Sequence, residues 1–578
     1  MLNRLATDVL ALVTASASTV LILLLLIHTS SGLEVYWFGG WHPHQGLAIG
    51  IDFAVTAIGA GLAAFVAFLM VAALLYSVRV ADVKQPYYHV MMLTFMAGME
   101  GFCLSGDLFN MFVFFELMSV SAVALIGYKV SEQAALEGGL NFAVINTIGS
   151  FLFVLGIGLI YGHTGALNLA QIGRSLAHSG NDRVVVVAFA LIVSALLIKA
   201  AVVPFHFWLD DAYSVALAPV CILLAGAMSE MGLYGLGRIW YGAFGAALAQ
   251  SVHVVRAILV AVGLLTALWG SAMALQQDHL KRLLAFVTIA YVGVFLTGLG
   301  LLTADGVAGA AVYVLADGCG KALLFACVGI LQHHYGKVGQ LSLFGRGKPL
   351  RLTAFLFLAG GLLIASMPPF GPFLGKSMIE DAAIKVGYGF VPPLVVLASA
   401  LSGAAVLRAG ARVFLAWGDV KERRDPADEE TERETEGEPD RTPVVMILAS
   451  IFLLAGTVGF GVWFGFADLA ESAARRFISG SAYDGIVFGQ HVASHIHATS
   501  SSPEWYDWLY CGGATLLAVA FAALSLWGSR IGADRLLRLG TRLVAPVQHL
   551  HTGRIGDYTA ALTLGVGVLG GLFALTLR

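Results

Sequence analysis

Residues Leu196–Ala212 read LLIKAAVVPFHFWLDDA, and residues Ala365–Ala383 read ASMPPFGPFLGKSMIEDAA. Each is an apolar helical run interrupted by proline. Pro204 stops the first just after Lys199, and Pro368, Pro369, Gly371 and Pro372 stop the second just before Lys376. Proline removes a backbone donor and clashes with the preceding turn, so neither run continues as a single regular helix. A lone proline in a membrane helix reads as a kink. Two such breaks, each beside a lysine, read as a pair of discontinuous helices.

The surrounding chain explains why a break matters. Of its 578 residues 58% are hydrophobic and only 12% charged, whereas a soluble domain carries roughly 25% charged residues. Its solvent is therefore mainly lipid. The net charge of −3 and the absence of a broad basic face exclude nucleic acid as a partner. The five cysteines (Cys103, Cys221, Cys319, Cys327 and Cys511) are dispersed without ligand spacing, so no disulfide, metal or redox cofactor is expected.

Spanning a bilayer takes about 20 mostly apolar residues. By that rule about fifteen transmembrane helices are predicted, near 8–28, 52–78, 87–105, 106–128, 137–161, 184–213, 215–241, 253–275, 282–302, 306–332, 351–387, 391–417, 443–467, 505–528 and 556–577. The first follows Arg4 without a convincing cleavage site and reads as a retained helix. With the N-terminus inside, twenty-two of the 33 basic residues fall in cytoplasmic segments and eight outside, the expected asymmetry. The broken segments are the sixth and eleventh spans. An odd separation of five gives equivalent positions opposite orientations, the pattern of an inverted repeat whose discontinuous helices mark a site near the midplane.

The predicted fold is thus an all-α polytopic membrane protein with two inverted five-helix repeats, each holding a discontinuous helix. Residues 1–86 form N-terminal spans, 87–241 the first unit and 253–417 the second. An acidic charged linker follows at 418–442, then additional spans with an outer loop at 443–528. Residues 529–578 form an amphipathic lateral helix, Arg530–Arg554, and a final span. In the outer loop, His491, His495 and His497 have no acidic or cysteine companion and read as unliganded.

A charge at the bilayer centre costs at least about 2.5–3.5 kcal/mol, so such residues are rare and functional. Glu116 stands mid-span in FNMFVFFELMSVSAVALIGY, Glu230 in LLAGAMSEMGLYGLGR, and Lys321 in LADGCGKALLFACVGIL. Asp317 precedes Lys321 by four residues, on the same helical face. With Lys199 and Lys376 these form a predicted proton or ion pathway, and His206, Glu100 and His333 are accessory candidates. Buried carboxylates and lysines titrate as coupled units, and lysine releases a proton where arginine does not. A purely structural ion pair adds little net stability. Asp52, at the start of a span, and Asp278, Lys281 and Arg282, at a turn, read as structural; His333 and His334, at a helix end, read as solvated or as a proton entry.

On these residues the chain resembles the antiporter-like subunits shared by respiratory complex I, the Mrp cation/proton antiporters and the membrane-bound energy-converting hydrogenases. The motifs are FFELMSVSAVALIGY, KAAVVPFHFWLDDA, APVCILLAGAMSEMGLYGLGR, QQDHLKRLLAFVTIAYVG, GKALLF and MPPFGPFLGKSMI, across roughly residues 52–417. The resemblance implies two proton half-channels on a central hydrophilic axis. Glu116 would pair with Lys199 as a coupling switch, Lys321 would lie on the connecting path, and Lys376 would end it. Two positions depart from the family: it usually has lysine where Glu230 stands, and often histidine at Asp317. That departure leaves a cation role open.

The expected function is proton translocation, or cation/proton antiport, within a larger complex of the inner (cytoplasmic) membrane. Its partners would be other membrane subunits of an Mrp-like, hydrogenase-like or complex I-like assembly. The carried ions would be protons and, under the antiport reading, Na+. No catalytic chemistry is expected on this chain itself. The alternatives are a stand-alone or two-component transporter, for example of inorganic carbon, and a non-conducting scaffold of a redox complex.

Overall fold

Apolar runs become helices in lipid because a helix satisfies its own backbone groups. The computed structural model describes residues 4–30, 32–78, 80, 86–177, 182–418, 441–463, 465–490, 504–528 and 554–577. The loop histidines, nearly all of the acidic linker and most of the lateral helix lie outside the described residues. The elements run α1 (Arg4–Thr29), β1 (Glu34–Trp37), β2 (Asp52–Val55), α2 (Ala57–Ser77), α3 (Pro86–Leu104), α4 (Leu108–Ile126), α5 (Gln133–Thr164), α6 (Leu169–Leu176), α7 (Arg183–Lys199) and α8 (Phe207–Val215). After them come α9 (Ala218–Leu223), α10 (Ser229–Ile239), α11 (Val252–Ala274), α12 (Leu280–Gly300), α13 (Ala304–Tyr335), α14 (Arg351–Ile364), α15 (Gly371–Lys385) and α16 (Val391–Gly410). The series ends with α17 (Val444–Val462), α18 (Gly465–Phe477), α19 (Gly480–Val487), α20 (Trp505–Trp527) and α21 (Ile555–Thr576).

Among the described residues twelve helical spans are long and apolar enough to cross a membrane. The other three expected crossings are α3, whose 19 residues include His89 and Glu100, and the interrupted pairs α7–α8 and α14–α15. Helices α3 to α10 make one five-span unit and α11 to α16 the next, with the broken helix fourth in each. One boundary needs correction. The span expected from residue 52 begins at Ala57, because Asp52–Val55 pairs antiparallel with Glu34–Trp37 as a hairpin.

The two breaks share one hydrogen-bond pattern at an offset of 165 residues. In the first, Ala200, Ala201, Val202 and Phe205 donate to Leu196, Ile198, Leu197 and Val202. In the second, Ala365, Ser366, Met367 and Phe370 donate to Gly361, Leu363, Leu362 and Met367. Ala201 and Ser366 both sit at positive φ, 56° and 61°. Each break is also covered by a glycine from a helix outside the repeats. A side chain at Gly461 of α17 would overlap Pro369 and Gly371, and one at Gly565 of α21 would lie 2.6 Å from Pro204 and 2.7 Å from Phe205.

The hairpin closes one end of the bundle. Asp52 is fully buried there, accepting a hydrogen bond from Asn168 at 2.9 Å. Arg238 donates to the Ala54 carbonyl (3.0 Å) and to the Tyr483 hydroxyl of α19 (3.1 Å). Burial pushes the Asp52 carboxyl up from 3.8 to about 7, against the pull of Arg238 and with a further push from Asp107.

This packing makes two testable demands. Gly461→Val should lower stability by about 1–3 kcal/mol through overpacking at the second break, seen as a lower thermal unfolding midpoint in detergent. For Asp52, the folded chain binds more protons than the unfolded one between pH 3.8 and about 7, so stability falls as pH rises through that window. Asp52→Asn should therefore gain on the wild type as pH rises; a difference in unfolding midpoint that does not change with pH would contradict it.

Candidate ion pathway

The predicted site residues separate into three clusters along the bundle. In the first, Lys199 ends α7 with its side chain fully buried. Its ammonium donates to Ser119 Oγ at 2.8 Å and Asn146 Oδ1 at 3.5 Å, with the Phe115 ring 5.0 Å away. Glu116, one turn along α4 from Ser119, instead accepts from the Ser150 hydroxyl. Ser150 also bonds the Asn146 carbonyl at 3.0 Å. The expected Glu116–Lys199 ion pair is not formed: Ser119, Asn146 and Ser150 stand between the two charges, and the pair interacts electrostatically at longer range.

The second cluster is the most tightly paired. The Lys321 ammonium lies 2.7 Å from Glu230 and 3.0 Å from Asp317, all three buried. Asp317 comes from the preceding turn of α13 and Glu230 from α10. Just before Glu230 the helix widens into a π-helical turn, Leu224–Met228, a departure that frequently accompanies functional sites. Tyr213 steadies that turn by donating to the Leu224 carbonyl (2.6 Å), and its hydroxyl lies 2.9 Å from Ser229 Oγ. Glu230 Oε2 and Asp317 Oδ1 have no hydrogen-bond partner among the described residues. Gly232, half a turn on, lets α10 pack against the backbone at Leu196 and Ala200, which flank Lys199.

The third cluster lies beyond the second break, where Lys376 and Glu380 of α15 face each other at 3.7 Å, both fully buried. Between the second and third clusters lie Tyr291, Tyr313 and Ser366. Tyr313 and Ser366 hydroxyls are 3.1 Å apart, Tyr291 donates to the Ile364 carbonyl, and Asp317 acts on both tyrosines. Tyr313 packs directly on Gly375, next to Lys376.

The accessory candidates lie off this line. His206, at the first break, accepts from Trp269 Nε1 of α11 at 3.0 Å. Glu100 faces α1 and accepts from Ser18 at 3.0 Å. His333 and His334 are buried rather than solvated, and contact Arg441 (3.2 Å) and Thr442 (2.8 Å), where the chain returns from the acidic linker. Sequence reasoning missed Glu380, although its i+4 spacing from Lys376 is the same signal that linked Asp317 to Lys321. It also missed the bridging serines, asparagine and tyrosines, whose residue types are ordinary in membrane helices.

Taken together, two inverted units with mirrored helix breaks and a buried line of carboxylates and lysines define an inverted-repeat membrane protein with a charged mid-membrane axis. The chain belongs to the NADH:quinone oxidoreductase/Mrp antiporter membrane family, whose pattern matches residues 105–402. It is similar to an NADH-quinone oxidoreductase membrane chain (the N chain) of Desulforudis audaxviator, 31% identical over 387 residues, 66% of this chain and 75% of that protein. It is also similar to a Na(+)/H(+) antiporter protein (the D chain) of Bacillus subtilis, 29% identical over 71% of this chain and 82% of the relative. The fold matches a chain in the Mrp complex of Dietzia sp. DQ12-45-1b with a TM-score of 0.74 at 24% identity, over 84% of this chain and 95% of that one.

Removing one partner of a buried ion pair costs about 3–5 kcal/mol because the remaining charge is stranded. Lys321→Met should therefore lower the unfolding midpoint sharply, and adding Glu230→Gln with Asp317→Asn should restore most of it. A Lys321→Met variant as stable as the wild type would contradict the charged triad.

Proposed function

We propose that the chain is a proton-translocating subunit of a multi-subunit complex in the inner (cytoplasmic) membrane. Its N-terminus lies in the cytoplasm and the hairpin end faces out. The observation that carries this reading is the series of buried ionisable clusters, Glu116/Lys199, Glu230/Lys321/Asp317 and Lys376/Glu380, running through both repeats. Residues 87–241 and 253–417 act as the two conducting units. The oxidoreductase and antiporter relatives support it, and the distribution of basic residues supports the orientation.

Each cluster can hold or pass a proton, and each responds to the charge of its neighbour. At an effective dielectric of about 20, unit charges roughly 8 Å apart interact by about 2 kcal/mol, enough to change a proton equilibrium more than tenfold. The separated Glu116 and Lys199 are one state of such a switch; closing the gap across Ser119 and Asn146 gives the other.

Partner subunits are supported by the setting of Glu116. It is only partly buried, and Val113 and Val120 on the same face of α4 are 45% and 64% exposed. A carboxylate at that depth needs protein rather than lipid beside it, and a neighbouring membrane protein of the complex supplies it.

A second reading, cation/proton antiport, is favoured by one observation. Two carboxylates surround the single ammonium of Lys321, so the middle site is net negative when all three are charged.

In vesicles holding the complex, Glu116→Gln and Lys199→Ala should each reduce proton flux by roughly tenfold or more. Unchanged flux in both variants would sink the pathway.

A further inference from the structure

The third cluster stops short of the surface. The Lys376 ammonium and both Glu380 oxygens are buried without a hydrogen-bond partner among the described residues. An arrangement of this kind is costly unless those groups serve as stations for something that moves.

Helix α20 runs beside them. Trp508 stacks on Phe373 of α15 with ring centroids 4.7 Å apart, and its neighbour Asp507 is fully buried and acts electrostatically on Glu380. Cys511, one turn further on, feels Lys376, Glu380 and Asp507 together. The two oxygens of Asp507 have different surroundings. Oδ2 accepts the Glu504 backbone N–H at 2.7 Å, half of a reciprocal cap that starts the helix. Oδ1 is buried and has no partner among the described residues. A cap needs one oxygen, and the second is left for another purpose.

The line continues to the surface. Asp381, next to Glu380, is hydrogen-bonded to Tyr506 and lies in the field of Asp507's neighbour Glu504, of Lys385 and of Asp305. Lys385 and Asp305 form a 2.8 Å pair at the hairpin end, with Lys385 66% exposed.

Building on the pathway reading above, we propose that Asp507 Oδ1 passes protons between Glu380 and the hairpin-end surface by way of Asp381. Helix α20, which lies outside the repeats and beyond the family's matched residues 105–402, would then supply a required group of the port. The proton on Glu380 moves to Asp507 Oδ1 and then through Asp381 to water, while Lys376 reprotonates Glu380. The charged and titratable groups facing Asp507 and Glu380 are Lys376, Asp381, Glu504, Tyr506 and Cys511.

The test is proton flux in vesicles holding the complex, with Asp507→Asn, Asp507→Ala and Glu116→Gln compared with the wild type. An asparagine oxygen still accepts from Glu504 N–H, so Asp507→Asn keeps the cap but not the proton site. The inference expects both Asp507 variants to lose roughly tenfold or more in flux, with Asp507→Asn unfolding at the wild-type temperature. If Asp507→Asn keeps full flux and only Asp507→Ala loses it, the residue is a cap and the inference is overturned. Full flux in Asp507→Asn with loss in Glu116→Gln overturns the port but leaves the pathway; full flux in all three overturns both. Should Asp507→Asn fail to assemble, Asp507→Glu decides: a shifted dependence of flux on the pH at the hairpin end supports the port, and an unchanged profile overturns it.

Discussion

Charge placed in a medium that cannot solvate it must find its partners within the protein, and this constraint governs the interior of the chain. Ordinary membrane helices meet it by having no charge to place. Here Lys199 rests on a serine and an asparagine, and Lys321 lies between two carboxylates. Lys376 faces one carboxylate at a looser 3.7 Å. The tightness of pairing therefore differs along the axis. A pair held at 2.7 Å resists separation, whereas one held at 3.7 Å without hydrogen bonds is already poised to exchange partners.

Helix breaks are the second half of the same design. Interrupting a helix frees backbone groups that lipid cannot satisfy, so a break survives only where protein covers it. Both breaks close on themselves with the same short hydrogen bonds, 165 residues apart. Both are then sealed by a glycine from a helix that belongs to neither repeat, Gly565 over Pro204 and Gly461 over Pro369. The helices added outside the ten-span core are thus structural parts of its working elements. Aromatic packing reinforces the point at the first break, where Tyr558 of α21 stacks on Phe207 at 5.0 Å.

Much of this was legible in the sequence because its strongest signals are local. Apolar runs of about 20 residues, prolines beside lysines, and the i, i+4 spacing of Asp317 and Lys321 need no tertiary information. The fifteen expected crossings correspond to the twelve long apolar spans, α3 and the two interrupted pairs. What the sequence left hidden depends on contacts between distant segments. The hairpin at Glu34–Trp37 and Asp52–Val55 is two short strands, the second absorbed into an apparent span. Glu100 looked like an axial charge because α3 is apolar, but the helix turns that face toward α1 and Ser18. Asp507 reads as an ordinary first-turn acid at a helix start, and only the packing of α20 against α15 brings it to Glu380.

The middle of the axis is where this chain departs from what its resemblance implies, and the geometry gives the departure physical content. A lysine at position 230 with a neutral histidine at 317 would leave a second positive charge facing Lys321, and the site would repel an incoming cation. Glu230 and Asp317 reverse that sign: with all three groups ionised the cluster carries one net negative charge, which a single proton or one monovalent cation neutralises. Glu230 Oε2 and Asp317 Oδ1 are the atoms left without partners to receive it. A substitution that preserved the fold while inverting the charge of the central station therefore changes what the station can attract, and leaves the outer two clusters, each a lysine with a single acid, as the parts of the axis that keep the original balance.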